Sequence, residues 1–159
     1  YDLQVISFAL FSGNEALAAR TVGEFPKRRI SGQMALDGSL PEELARTRSF
    51  HYSTAAMSEV YEVAAMGSCV GIDIWSYADQ EGRSIGKATD FLAGYFGREN
   101  AWKWQEISMV KQDLFAALAR AAVGIDDRNL RSKVAAMAKL YPNARENLIL
   151  RSNDAAGGN

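Results

Sequence analysis

Apolar residues in this chain recur at helical spacing almost from end to end. Asp2–Ser12 is dense in Leu, Val, Ile and Phe, and Gly13-Asn14 breaks it. Glu15–Phe25 continues with Ala16, Leu17, Ala19 and Val22, and Pro26 marks a kink or an end. "ALDGSLPEEL" reads as a turn followed by a short helical start after Leu40-Pro41, with acids in its first turn. Thr54–Met66 is apolar nearly all round, which predicts an inner helix, and Gly67 and Gly71 close it. Ser84 is placed to cap a helix bearing Ile85, Ala88, Leu92, Tyr95 and Phe96 on one face. Ile107–Val123 carries Ile107, Val110, Leu114, Leu118 and Ala121 in one stripe. Asp127–Tyr141 repeats the pattern, and Pro142 stops it. No alternating strand pattern stands out. The expectation is an all-α fold of antiparallel helices joined by short loops, with inner helices sheathed by amphipathic ones.

Composition narrows the function less than it excludes. The 159 residues are 48% hydrophobic and 23% charged, enough for one domain with a real core. A net charge of −1 gives no general electrostatic case for nucleic acid or an anionic membrane. No apolar run is long enough to cross a bilayer. The lone cysteine, Cys69, rules out an internal disulfide, and "MGSCVG" reads as a buried or turn position. His51 has no second histidine with which to share a metal, so no metal site is expected. "GRSIGK" lacks the spacing of a phosphate loop, and Arg28-Arg29 reads as a solvated face.

One stretch departs from core-forming pattern. "ELARTRSFHYSTAAM" places Arg46, Arg48, His51 and Tyr52 together at the mouth of the apolar helix. Arginine's planar fork of donors suits a carboxylate. A tyrosine can act as acid, base or both where neighbouring guanidinium groups favour its phenolate. On a helix Arg48 and Tyr52 share a face, four residues apart. Arg46 and Tyr52 are six apart and converge only if the chain bends between them. Without further context each has an ordinary alternative: a packed tyrosine, surface arginines paired to Glu42 or Glu43, a hydrogen-bonded histidine.

"DGSLPEELARTRSFHYS", "GIDIWSYADQEGRSIGKATDFLAGYF" and "AWKWQEI" together resemble the alginate lyase–like polysaccharide lyases, over roughly Tyr1 to Ile107. That resemblance implies part of an (α/α) toroid over residues 1–151, with 152–159 as a flexible tail. It implies cleavage of an acidic polyuronate, of alginate or glucuronan type, by β-elimination to a 4,5-unsaturated uronate, with no cofactor. It ranks Arg46 and Tyr52 first as catalytic residues, with Arg48 and His51 beside them. Gln33, Tyr1, Gln4 and Trp75 become candidates for substrate contact. It also places a further asparagine and histidine immediately before Tyr1, so the domain is expected to be incomplete at its N-terminus and the fragment's own activity to suffer. Work in the periplasm or after secretion is implied, as is self-association through exposed inner helices. The rival expectations are a polyuronate-binding module without chemistry, and a plain helical interaction domain.

Overall fold

The computed structural model describes residues 1–150, so the expected tail lies outside the described residues. Seven α-helices follow one another: α1 (Asp2–Phe11), α2 (Glu15–Phe25), α3 (Pro41–Leu44), α4 (Ser49–Gly67), α5 (Ile85–Ala93), α6 (Gln112–Gly124) and α7 (Arg128–Leu140). Two isolated bridges, Arg48 to Glu106 and Ala78 to Ser84, are the only extended pairings among the described residues. The all-α expectation therefore holds.

Helix starts follow the side chains available. Asn14, Ser84 and Asp127 each accept an N–H from the first turn of α2, α5 and α7 respectively. Pro26 does not end α2. It opens a wider π-type turn, Pro26–Ser31, that carries the helix onward.

The inner helix is α4, packed most extensively on α6 and also on α1, α2, α3 and α5. Phe50, Met57, Tyr61 and Val63 of α4 are buried, as are Leu114, Phe115 and Leu118 of α6. Each such side chain contributes about 1.5–3 kcal/mol by leaving water. Tyr61 stays neutral: burial raises its phenol, and its hydroxyl shares a 2.8 Å hydrogen bond with Thr89. Gly67 is required by a close approach, since a Cβ there would lie 2.4 Å from the Ile72 carbonyl oxygen.

Several expectations need correction. α4 starts at Ser49, five residues earlier than the apolar pattern suggests, which puts His51 and Tyr52 inside its first turns. It is the expected inner helix, though not covered on every side, because Glu59 and Ala65 face solvent. α5 ends at Ala93, so Tyr95 and Phe96 pack from a turn. The helix expected from Ile107 begins at Gln112, and Ile107 and Val110 are exposed. The backbone before it is committed elsewhere: Ile107 N–H donates to the Thr47 carbonyl at 3.1 Å. Cys69 lies exposed in a single helical turn after α4.

Candidate active site

The site is built at the elbow between α3 and α4. The Asp37-Gly38-Ser39 turn leads into it. The Ser39 hydroxyl and its N–H, the latter at 2.9 Å, hold the Asp37 carboxyl below its usual range. Gly38 has φ +87°, and a Cβ there would sit 2.3 Å from the Lys87 carbonyl oxygen. Only glycine lets this turn press against α5.

Arg48 occupies the position just before α4, where a side-chain acceptor normally satisfies the first amides. Arginine has no acceptor to offer. The segment after Trp102 supplies the acceptors. The Gln105 carbonyl accepts from Ser49 N–H at 3.1 Å and from the Ser49 hydroxyl at 2.7 Å. Glu106 Oε2 accepts from Phe50 N–H at 2.8 Å and from His51 N–H at 3.3 Å. Trp102 donates its indole N–H to Ser49 Oγ at 2.8 Å. The start of α4 is thus clamped from more than fifty residues away, and His51 and Tyr52 inherit fixed positions.

The bend does what helical spacing alone cannot. The Arg46 guanidinium lies over the Tyr52 ring, 4.0 Å from its centroid. A guanidinium nitrogen of Arg46 is also 4.0 Å from Glu43. Arg48 makes no ion pair or side-chain hydrogen bond among the described residues, and its Nε is buried without a partner. The His51 ring stands edge-on to the Tyr52 ring, 5.5 Å between centroids and 69° between planes. On its other side His51 Nδ1 is 2.8 Å from Asp113 Oδ2. Arg46, Tyr52 and His51 are therefore side-chain neighbours, and Arg48 joins them through its backbone carbonyl, which accepts from Tyr52 N–H at 2.9 Å.

Next to this cluster is a cavity of about 240 Å³ between α1, the π-type turn, α3 and α4. Tyr1, Asp2, Arg29, Gln33, Glu42, Glu43 and Glu59 supply its polar lining, and Ala56, Val60 and Val63 its floor. Glu43 links the cavity to Arg46. Gln33 and Tyr1 are brought to this cavity. Gln4 is exposed and outside it. Trp75 is outside it too: it stacks on Tyr61 at 8° and covers Gly124, where a Cβ would fall 2.1 Å from the indole. Its large apolar surface serves the core. Arg28 and Arg29, expected as a solvated face, both bind the buried Asp2, at 3.1 and 2.7 Å.

Sequence reasoning missed Glu106 and Asp113. Asp113 sits in no quoted motif, and Glu106 lies in "AWKWQEI" without standing out there; what identifies both is contact with α4 across a long stretch of chain.

The alginate lyase family model matches residues 1–102 of the chain. This chain belongs to the alginate lyase family. Among solved structures, an alginate lyase from Bacteroides ovatus matches with a TM-score of 0.80 and 33% identity. The alignment covers 85% of this chain and 37% of that one, so the chain spans little more than a third of its relative. No curated protein matches. The family match contains Gln33, Arg46, Arg48, His51 and Tyr52 and stops short of Glu106 and Asp113.

Proposed function

We propose that the chain supplies the arginine–tyrosine part of a polysaccharide lyase site, cleaving an acidic polyuronate of alginate or glucuronan type by β-elimination. The observation that carries this reading is the Arg46 guanidinium resting on the Tyr52 ring, with Arg48 unpaired one helical turn before Tyr52.

The chemistry asks for these groups. The C5 proton of a uronate becomes labile when the adjacent carboxylate is neutralised, which the two guanidinium groups are suited to do. C5 then loses its proton, the C4–O bond breaks, and the departing oxygen takes up a proton. The product is a 4,5-unsaturated uronate, and no water is consumed. In this reading Tyr52 moves the proton. In the adjoining cavity Gln33, Glu42 and Glu59 can accept hydrogen bonds from sugar hydroxyls, while the uronate carboxylate stays at the arginine end.

The same reading makes the helical hairpins part of an (α/α) toroid with the polymer lying across inner helices, and places the work in the periplasm or outside the cell. No helix among the described residues is long and apolar enough to cross a membrane.

The test is ultraviolet absorbance of the unsaturated product with alginate, polymannuronate and glucuronan. A rise with one polymer, reduced by about a hundredfold or more in Tyr52→Phe, is expected. A rise that survives Tyr52→Phe reassigns the proton transfer. A flat trace on all three polymers from folded protein removes the lyase reading and leaves a binding module, which a binding titration with the same polymers then checks.

A further inference from the structure

His51 is more than a neighbour of Tyr52. Its backbone N–H is held by Glu106, and its ring is held by Asp113 at the first turn of α6. The residue is thus held at its backbone and at its ring by two different segments. An ionised carboxylate accepts hydrogen bonds and cannot donate them. The 2.8 Å contact therefore needs a proton on Nδ1. The hydrogen bond made by one ring nitrogen decides the state of the other. Nε2 has no partner among the described residues, and the His51 side chain keeps 37% of its surface. A neutral imidazole held in this way leaves Nε2 bare, with the Tyr52 ring beside it.

We propose that Asp113 is the positioning residue for His51, and that His51 Nε2 is a second proton-handling atom of the site. The chemical part rests on the lyase reading above. In that reaction the C5 proton passes to Nε2, and the C5–H electron pair becomes the C4–C5 π bond. The C4–O pair leaves with the glycosidic oxygen, which takes the Tyr52 phenol proton. Proton return from the imidazolium to the phenolate resets both groups, so no co-reactant is needed. Asp113 touches no substrate. It selects the ring nitrogen that is left bare.

A helix-terminal aspartate would also be expected at Asp113 for its interaction with the helix dipole alone. The two roles separate by experiment. His51 is the only histidine in the chain, so its ring nitrogens can be read without assignment ambiguity. Long-range proton–nitrogen correlation spectra of histidine-labelled chain, recorded at a pH where the ring is neutral, report which nitrogen carries the proton. The wild-type chain is expected to show Nδ1–H with bare Nε2. Asp113→Ala is expected to move the proton to Nε2. Asp113→Asn keeps the size of the side chain and serves where the alanine variant fails to fold. Its amide can donate as well as accept, so the exclusive Nδ1–H state should be lost. Wild-type protein with the proton on Nε2, or variants that leave Nδ1–H unchanged, would overturn the assignment.

Kinetics decide the chemical part. Asp113→Asn should lower kcat by about tenfold or more with KM changed by less than about twofold. An unchanged kcat removes His51 from the proton path. The spectra need no substrate, so inactive wild-type protein with the expected tautomer would count against the lyase reading and not against the positioning role.

Discussion

At the scale of single residues, two glycines separate backbone strain from collision. Gly13 and Gly38 both have positive φ, +73° and +87°. A Cβ at Gly13 meets nothing within 4 Å, whereas at Gly38 it meets the α5 backbone at 2.3 Å. Gly13→Ala is expected to cost about 1 kcal/mol from the left-handed backbone alone. Gly38→Ala should cost about 3 kcal/mol or more, because the turn must also withdraw from α5. Urea unfolding of the two variants checks the difference, and equal losses would mean that the turn gives way easily. The same turn shows what a sequence can say. "DGS" was legible as a turn from residue types. The carbonyl of Lys87 that forbids a side chain was not, since it arrives from fifty residues away. Arg46 and Tyr52 were legible as a pair only conditionally, because spacing of six needs a bend and the bend is a tertiary fact. The pairing of the partly solvated Arg28 and Arg29 was not legible, because their partner, Asp2, is in another helix.

At the scale of elements, the start of α4 is the informative case. Its first amides are satisfied by Gln105 and Glu106, not by the residue before the helix. Glu106→Ala removes the acceptor of three N–H groups, those of Phe50, His51 and Ser108. It should destabilise the fold by about 1–2 kcal/mol, by analogy with loss of a helix cap. On the proposed lyase function a matching fall in rate is expected, since His51 and Tyr52 are on the turn it holds. Thermal unfolding and product absorbance measure the two effects, and a rate loss without a stability loss would mean that Glu106 acts on substrate instead. This clamp also explains why the start of α6 was misread. Ile107 and Val110 fit the helical stripe, yet the chain there is drawn out to pair with Thr47.

The loop before α5 supplies a second element-level outcome. Burial pulls the Asp79 carboxyl up, but the backbone and guanidinium N–H groups of Arg83, with Ser31 and the Glu81 N–H, bring it down to about 2. Its folded value is below its unfolded one, near 3.9. The stabilisation is therefore complete above about pH 4 and lost as pH falls toward 2. Acid titration followed by circular dichroism should show the melting temperature of wild-type protein falling more steeply across that window than that of Asp79→Asn. Parallel curves would assign the acid sensitivity to other carboxylates.

For the whole molecule, the helical class was legible because apolar residues recur at helical spacing in nearly every segment. The outer surface of α1 was less so. Asp2, Ile6 and Ala9 face inward and are buried. Tyr1, Phe8 and Phe11 keep 81%, 71% and 93% of their surface in solvent. With Gln4 they are spaced three, four and three apart, which sets them along one side of the helix. α1 is thus apolar on both sides, an arrangement that soluble surfaces avoid. Each phenylalanine stands to gain about 1.5–3 kcal/mol by leaving water, and a two-fold contact between copies counts each twice. That total competes with the cost of association, so self-association in a concentration-dependent manner is the expected outcome. Sedimentation velocity over a wide concentration range should show it, and the double variant Phe8→Ser/Phe11→Ser should remain monomeric with an unchanged unfolding midpoint. A wild-type chain that sediments as a monomer throughout would show that two rings along one helix are too small a patch to hold copies together. A double variant that unfolds earlier would show instead that these rings are covered within the chain itself.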